Sequence, residues 1–430
     1  MTIEQLIVAV GTIFLVARLI GLLFRRIGQP QVVGEMVAGI LLGPSFLGRF
    51  FPAVFSRIFP QTSMPTLTNL SQLGLLLFMF VVGLEVDVDK VLKRGKAVLV
   101  TSSFSIVLPL GMGILLAGLF YPRFAGRGVA FPLFALFIGT AMSITAFPVL
   151  AGILKERKLL NSDLGAMAIS CAALDDVSAW LLLAILTAVA HSAQSWGRLC
   201  LILLALLLFV LTMFFPVRWA MARLEKICRN KNWGLGPFCA LVLIMLAASW
   251  TTEKLGVHAL FGAFIAGFIM PKGTALITDA VEKLETLTVT MLLPIFFVLT
   301  GIRTRIDLLH GAGAWGYALA IIAVAVAGKL GGAAVASRAG GVGWKDSIGL
   351  GILMNTRGLV ELVILNAGLE LGILSSAMFT MMVIMALVTT FMTSPLLIGL
   401  YGTSVNAFRR DVQSEKKLQP ELSFKAAAGE

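Results

Sequence analysis

About thirteen stretches, each apolar enough to cross a bilayer as a helix, follow one another along this chain with only short polar loops between them. They fall near 3–23, 31–48, 66–85, 97–120, 129–153, 164–190, 197–217, 236–254, 257–270, 284–302, 314–337, 347–369 and 375–400, the ninth being short. Backbone placed in hydrocarbon must satisfy its own polar groups, so such a sequence is confined to helices. The fold class that follows is an all-α polytopic membrane protein. Charged residues make up 13% of the chain, against about 25% in a soluble domain. The net charge of +12 does not point to nucleic acid. Lys and Arg gather on alternate loops, most densely at Lys90–Lys96, Lys155–Lys158 and Arg218–Lys231, as the positive-inside rule requires. That pattern places the N-terminus outside and the C-terminus in the cytoplasm, with 401–430 as a short, flexible, polar tail. The first stretch lacks a basic leader and a cleavage site, so it reads as a retained span.

Against this background the charges at membrane depth are the informative residues. Asp175 and Asp176 lie side by side near the middle of the sixth stretch. A carboxylate there costs about 3 kcal/mol on insertion scales and must face the protein interior or a wet cavity. Helix neighbours point about 100° apart, so one can face a cavity while the other turns to a partner helix. A structural ion pair is the plainer alternative for each. Lys329, on the eleventh stretch among Gly328, Gly331 and Gly332, is either a salt-bridge partner of Asp175 or a second titrating group. It is near enough to the inner end to snorkel as well. Arg357 and Glu361 are spaced i, i+4 on the twelfth stretch. They form either a local buried pair or the charge compensation at a helix break.

Two stretches carry signs of such breaks. The fifth contains Ser143, Thr145 and Pro148, and a proline frees the carbonyl one turn before it. The twelfth contains Gly349, Gly351, Asn355, Thr356 and Gly358. Each is the second member of a three-stretch set (fourth to sixth, eleventh to thirteenth), the arrangement that inverted-repeat transporters leave in sequence. The remaining ionisable groups read more plainly. Glu35 sits at an inner membrane edge, Glu85, Asp87 and Asp89 are loop charges, and His191, His258 and His310 lie at outer span ends. Cys171, Cys200, Cys228 and Cys239 have no metal-like spacing. No Walker A, GxGxxG or HExxH pattern occurs, so no cofactor, nucleotide drive or enzymatic chemistry is expected.

Five segments together carry a family resemblance: Gly34–Gly48 (GEMVAGILLGPSFLG), Ser143–Ala151 (SITAFPVLA), Gly256–Phe264 (GVHALFGAF), Pro294–Gly301 (PIFFVLTG) and Asn355–Leu362 (NTRGLVEL). In this order they resemble the monovalent cation:proton antiporter-2 family, which includes the Kef-type and Nap-type transporters and the plant cation/proton exchangers. The resemblance runs from about residue 4 to 400. It implies a thirteen-helix, Nha-type fold with two broken crossing helices, working as a homodimer. Residues 1–400 would form the antiporter domain. Its mobile core would take spans about 97–190 and 314–400, the other spans serving dimerisation and linkage. Asp176 matches the aspartate that takes either the cation or the proton, and Asp175 the position before it, Asp in many electrogenic members and Asn in many electroneutral ones. Lys329 matches the core lysine that pairs there. Ser143, Thr145, Asn355 and Thr356 would be cation-site neighbours on the broken helices, with Arg357 and Glu361 as core charge compensation. The sequence has no long C-terminal regulatory domain of the Kef kind, so glutathione or nucleotide gating is not expected.

The expected activity is exchange of Na⁺ or K⁺ for H⁺ across a bacterial inner membrane, by elevator-like alternating access and with net charge movement. The monovalent cation would be held by Asp176 and other hard oxygens. A gated potassium efflux channel and a solute symporter on the same fold are the alternatives. An open pore would need no proton gradient, and a solute would need a larger mid-membrane cavity.

Overall fold

The computed structural model describes residues 3–86, 96–157, 159–160, 162–192, 195–228, 236–272, 274–309 and 311–402. Asp87, Asp89, Lys90, Lys93, Arg94, Lys158, Arg229, Lys231, His310 and the tail from 403 lie outside them. The described residues are almost wholly helical. The helices that matter here are α1 (Ile3–Arg26), α2 (Gln31–Leu42), α3 (Met64–Glu85), α4 (Lys96–Phe124), α5 (Phe131–Ser143), α6 (Phe147–Glu156), α7 (Asp163–His191), α8 (Trp196–Thr212), α9 (Gly236–Lys254), α10 (Ala259–Phe268), α11 (Leu293–Arg303), α12 (Gly311–Val326), α13 (Gly332–Ala339), α14 (Trp344–Met354), α15 (Leu359–Glu370) and α16 (Ser376–Tyr401).

Among the described residues eleven segments are long and apolar enough to cross a membrane. They coincide with eleven of the thirteen expected stretches. The other two are α9, a helix of 19 residues, and α10, an apolar helix of only 10, so the count of thirteen is not reached by length and hydropathy alone. Both expected breaks are present. The fifth span is interrupted over Ile144–Ala146, between α5 and α6, and the twelfth over Asn355–Gly358, between α14 and α15. Pro148 sits in the first turn of α6, where its missing N–H costs nothing. Gly349 and Gly351 do not make the second break. They let α14 approach the Tyr401 ring and the Leu330 carbonyl.

The helices sort into two packing groups. α1, α2, α3, α9, α10 and α11 pack on one another, and α4–α7 pack with α12–α16. The broken spans lie at the centre of the second group: 94% of the most apolar window of Trp344–Glu370 and 78% of that in Phe131–Glu156 is buried, against 17% for Gly197–Leu224 at the periphery. Membrane helices gain little from apolar burial between themselves and associate through close packing of small residues. In the first group Gly83 and Gly267 bring α3 and α10 into backbone contact, and Gly39 and Gly301 do the same for α2 and α11. A methyl group on Gly267 would fall on the Phe80 carbonyl, whereas one on Gly118 meets nothing within 4 Å. Gly267→Ala should therefore cost about 1–3 kcal/mol by overpacking. Thermal unfolding in detergent, compared with Gly118→Ala as the harmless control, checks this.

Candidate ion-binding site

The site is built where the two broken spans meet α7. The Ala146 N–H donates to the Thr356 carbonyl at 3.0 Å, so the two breaks are joined backbone to backbone. The end of a helix leaves its last carbonyls without partners and carries partial negative charge. At the end of α5 the last four carbonyls are all taken up. Thr140 O accepts from the Ser143 hydroxyl at 2.8 Å, Ala141 O and Met142 O accept from Arg357 Nη1 and Nη2 at 2.8 and 2.6 Å, and Ser143 O accepts from Lys329 Nζ. Arg357, on the second break, thus caps the half-helix of the first. Glu361 stands 3.6 Å from it, buried, with neither carboxylate oxygen hydrogen-bonded among the described residues. The pair exists, but the hydrogen bonds of Arg357 go to the opposite broken span. The end of α14 is treated differently. Its Met354 carbonyl lies 2.9 Å from the Thr145 hydroxyl and Leu353 O accepts from the Thr356 hydroxyl at 2.6 Å, and no basic side chain among the described residues bonds either.

Asp175 and Asp176 are both 1% exposed, yet their surroundings are opposite. Asp175 is saturated. Oδ1 accepts from Ser102 at 2.9 Å. Oδ2 lies 3.1 Å from the Ser105 hydroxyl, 2.8 Å from that of Thr145 and 2.7 Å from Lys329 Nζ. Lys329 is fully buried and completes its bonding with the Ser105 carbonyl and hydroxyl at 2.9 and 3.0 Å. It reaches them because it lies in a single wide helical turn, Ala327–Gly331, between α12 and α13, a feature frequent at functional sites. Gly328 and Gly332 let that turn lie against Pro109 and Phe104–Leu108 of α4. Snorkelling is thereby excluded. Asp176 has no hydrogen-bond donor at either oxygen among the described residues. The first amide of α6, at Phe147, is directed toward it without meeting it in a hydrogen bond. The Asn355 Oδ1 atom, in the second break, is likewise buried without a donor.

Of the residues singled out from sequence, Asp175, Lys329, Thr145 and the Ser143 carbonyl meet in one network, and Arg357 and Thr356 join the two breaks. The Ser143 and Thr356 hydroxyls are spent on local carbonyls. Ser102 and Ser105 were missed. They lie three apart on one face of α4 within an apolar span, and that spacing was the available signal. Glu35, read as interfacial, is only 4% exposed and accepts from Gln31 at 2.9 Å, because Gly21 and Gly34 let α1 and α2 close over it. Glu85, read as a loop charge, is instead the last residue of α3, while His191 ends α7 and His258 caps α10, at span ends as read. Cys171 is buried, Cys200 and Cys239 are exposed, and all three are free thiols.

Residues 12–399 match the family model described as sodium/hydrogen exchanger, transmembrane. The chain belongs to that family. Within it, the chain is 43% identical over 402 residues to the Na(+)/H(+) antiporter NhaS4 of Synechocystis, covering 92% of this chain and 96% of that protein. It is 39% identical to cation/H(+) antiporter 17 of Arabidopsis thaliana, covering 95% of this chain and 50% of that one. It is 35% identical to K(+)/H(+) antiporter 1 of Saccharomyces cerevisiae, covering 89% and 45%. The chain spans about half the length of these plant and yeast family members. The sodium proton antiporter MjNhaP1 of Methanocaldococcus jannaschii superposes with a TM-score of 0.66 at 14% identity, over 94% of this chain and 96% of that one, a likeness of fold. A multi-pass membrane transporter family, a helical antiporter fold and two broken crossing spans agree with the sequence reading.

Proposed function

We propose that this chain exchanges Na⁺ or K⁺ for H⁺ at Asp176. The observation that carries the reading is the contrast between the two aspartates: a buried carboxylate that, among the described residues, no side chain hydrogen-bonds, beside one that is fully paired. An unpaired buried anion is costly, and either a proton or a monovalent cation relieves it. The two ligands compete for one group. Proton-loaded and cation-loaded cores are both close to neutral, and the empty core is charged. Only the loaded forms move readily past a hydrophobic barrier, so transport in one direction requires return with the other ion. Na⁺/H⁺ and K⁺/H⁺ antiporters among the relatives support the same exchange.

The moving part is the second helix group, about residues 97–190 and 314–400, sliding against the first in alternating access. Asp175 and Lys329 supply a second proton-exchanging group, which makes the cycle electrogenic. Asn355 Oδ1, buried without a donor among the described residues, is the neutral oxygen at the breaks best placed to serve a cation. The working unit is a homodimer in a bacterial inner membrane, N-terminus outside and C-terminus in the cytoplasm. The exposed apolar side chains of α1 and α8, such as Ile7, Leu19, Leu204 and Leu208, suit lipid or a second copy. Purified protein in proteoliposomes loaded with Na⁺, K⁺ or Li⁺ should move protons against at least one of them, at a rate that changes with an imposed voltage. No proton movement with any of the three would reject the exchange. A rate indifferent to voltage would reject the electrogenic step.

A further inference from the structure

The boundary between the two helix groups is tied unequally at its two ends. At the end that carries His191 and His258, Arg303 closes α11. Its Nη1 donates to Asn366 Oδ1 at 2.7 Å and to Glu370 Oε1 at 2.8 Å, and its Nη2 donates to the Thr68 hydroxyl at 3.2 Å. Asn366 Nδ2 in turn donates to the Thr300 hydroxyl at 3.0 Å. Thr68 lies on α3, Thr300 and Arg303 lie on α11, and Asn366 and Glu370 lie one turn apart on α15. One guanidinium therefore fastens the first group to the second. At the opposite end of the boundary, Arg157 after α6 reaches the Gly28 carbonyl after α1 at 3.2 Å.

The same end is also sealed deeper down. Trp180 is one turn beyond Asp176 on α7 and fully buried, with its indole N–H unpartnered among the described residues. It stacks on Phe264 of α10, ring centres 6.2 Å apart at 27°. Above the stack a cavity of about 730 Å³ reaches Thr187, Leu260 and Glu370. Thr187 is two turns above Trp180 and Leu260 one turn above Phe264. The aromatic pair thus stands between the cavity and Asp176, with Leu183, one turn above Trp180 on α7, also buried. Arg303 and Glu370 keep 28% and 40% exposure in their side chains. An ion pair that wet is weak enough to be broken and remade in every cycle. A slide of α15 past α11 by one helical turn, about 5.4 Å, carries Asn366 and Glu370 off the guanidinium together.

From this we infer that Arg303, with Asn366 and Glu370, is a latch that holds this end of the boundary shut and so sets the side to which Asp176 opens. Arg303 is a positioning residue of the exchange cycle and binds no transported ion. The inference rests on the alternating-access reading above, but its labelling readout does not need transport.

In a background without the four native cysteines, Leu183→Cys reports on the sealed end. Arg303→Gln and Glu370→Gln should each speed its labelling by a membrane-impermeant thiol reagent, applied from the His258 side, several-fold. The swapped pair Arg303→Glu with Glu370→Arg should bring the rate back. Unchanged labelling in the single variants, or a swapped pair as fast as they are, overturns the latch. Thr300→Cys combined with Asn366→Cys gives a check that leaves the ion pair intact. Cross-linking this pair should stop cation–proton exchange, and reduction should restore it. A pair that does not cross-link, or exchange that persists with the link intact, overturns the latch as well. A wild-type protein that exchanges no cation would refute the proposed function and leave the labelling result standing on its own.

Discussion

Asp176→Asn should abolish exchange while leaving the protein at least as stable as before. Asn has the same shape and volume, so the packing around α7 is kept. What disappears is a buried carboxylate that no side chain pairs among the described residues, and removal of an uncompensated buried charge does not destabilise a fold. Function responds in the opposite sense. An amide can neither take up the proton nor neutralise a cation. Losing about 3 kcal/mol of charge–ligand energy corresponds to a rate lower by roughly 100-fold or more. Initial rates in proteoliposomes and thermal unfolding of the same preparation test both halves. Exchange at the wild-type rate would remove Asp176 from the mechanism.

Lys329→Met should have the largest effect on stability. Among the described residues the ammonium is the only cation bonded to Asp175, and it also caps the Ser143 carbonyl at the end of α5. Taking one partner from a buried pair costs about 3–5 kcal/mol, because the other charge is left without compensation. The remedy follows from the same physics. In Asp175→Asn with Lys329→Met both charges are gone, Ser102 and Ser105 can still bond the amide, and most of the lost stability should return. Unfolding temperatures of the two single variants and the double one form a cycle whose coupling term should be large. Simple additivity would show that the 2.7 Å contact is energetically unimportant. The double variant should also lose the voltage dependence of exchange, since the second proton-exchanging group is gone. Retained voltage dependence would place that proton elsewhere.

Much of this site is legible along the chain because its signals are local. Pro148 and the Asn355–Gly358 run mark the two breaks. The two aspartates, Lys329, Arg357 and Glu361 are conspicuous simply because a charge at membrane depth is costly. Three features resisted the same reading. Arg357 is four residues from Glu361, and sequence spacing pairs them. In the folded chain its hydrogen bonds go to carbonyls 215 and 216 residues away. Ser102 and Ser105 look like ordinary small polar residues in a span until α4 sets them against Asp175. Glu35 looks interfacial because its depth depends on how closely α1 and α2 approach. The Arg303 latch is of the same kind: nothing in the spacing of Thr68, Arg303 and Glu370 announces that they meet.

The order of the residues determined on its own that this chain is a stack of membrane helices, where two of them break, and which side chains are charged at depth. Hydropathy, proline geometry and the cost of a buried charge act within a few residues. Which of the neighbouring aspartates is locked and which is left open was decided only by tertiary packing. Successive residues on a helix point about 100° apart. Their partners come from whichever helices lie on each side: α4 and the Lys329 turn against Asp175, the start of α6 toward Asp176.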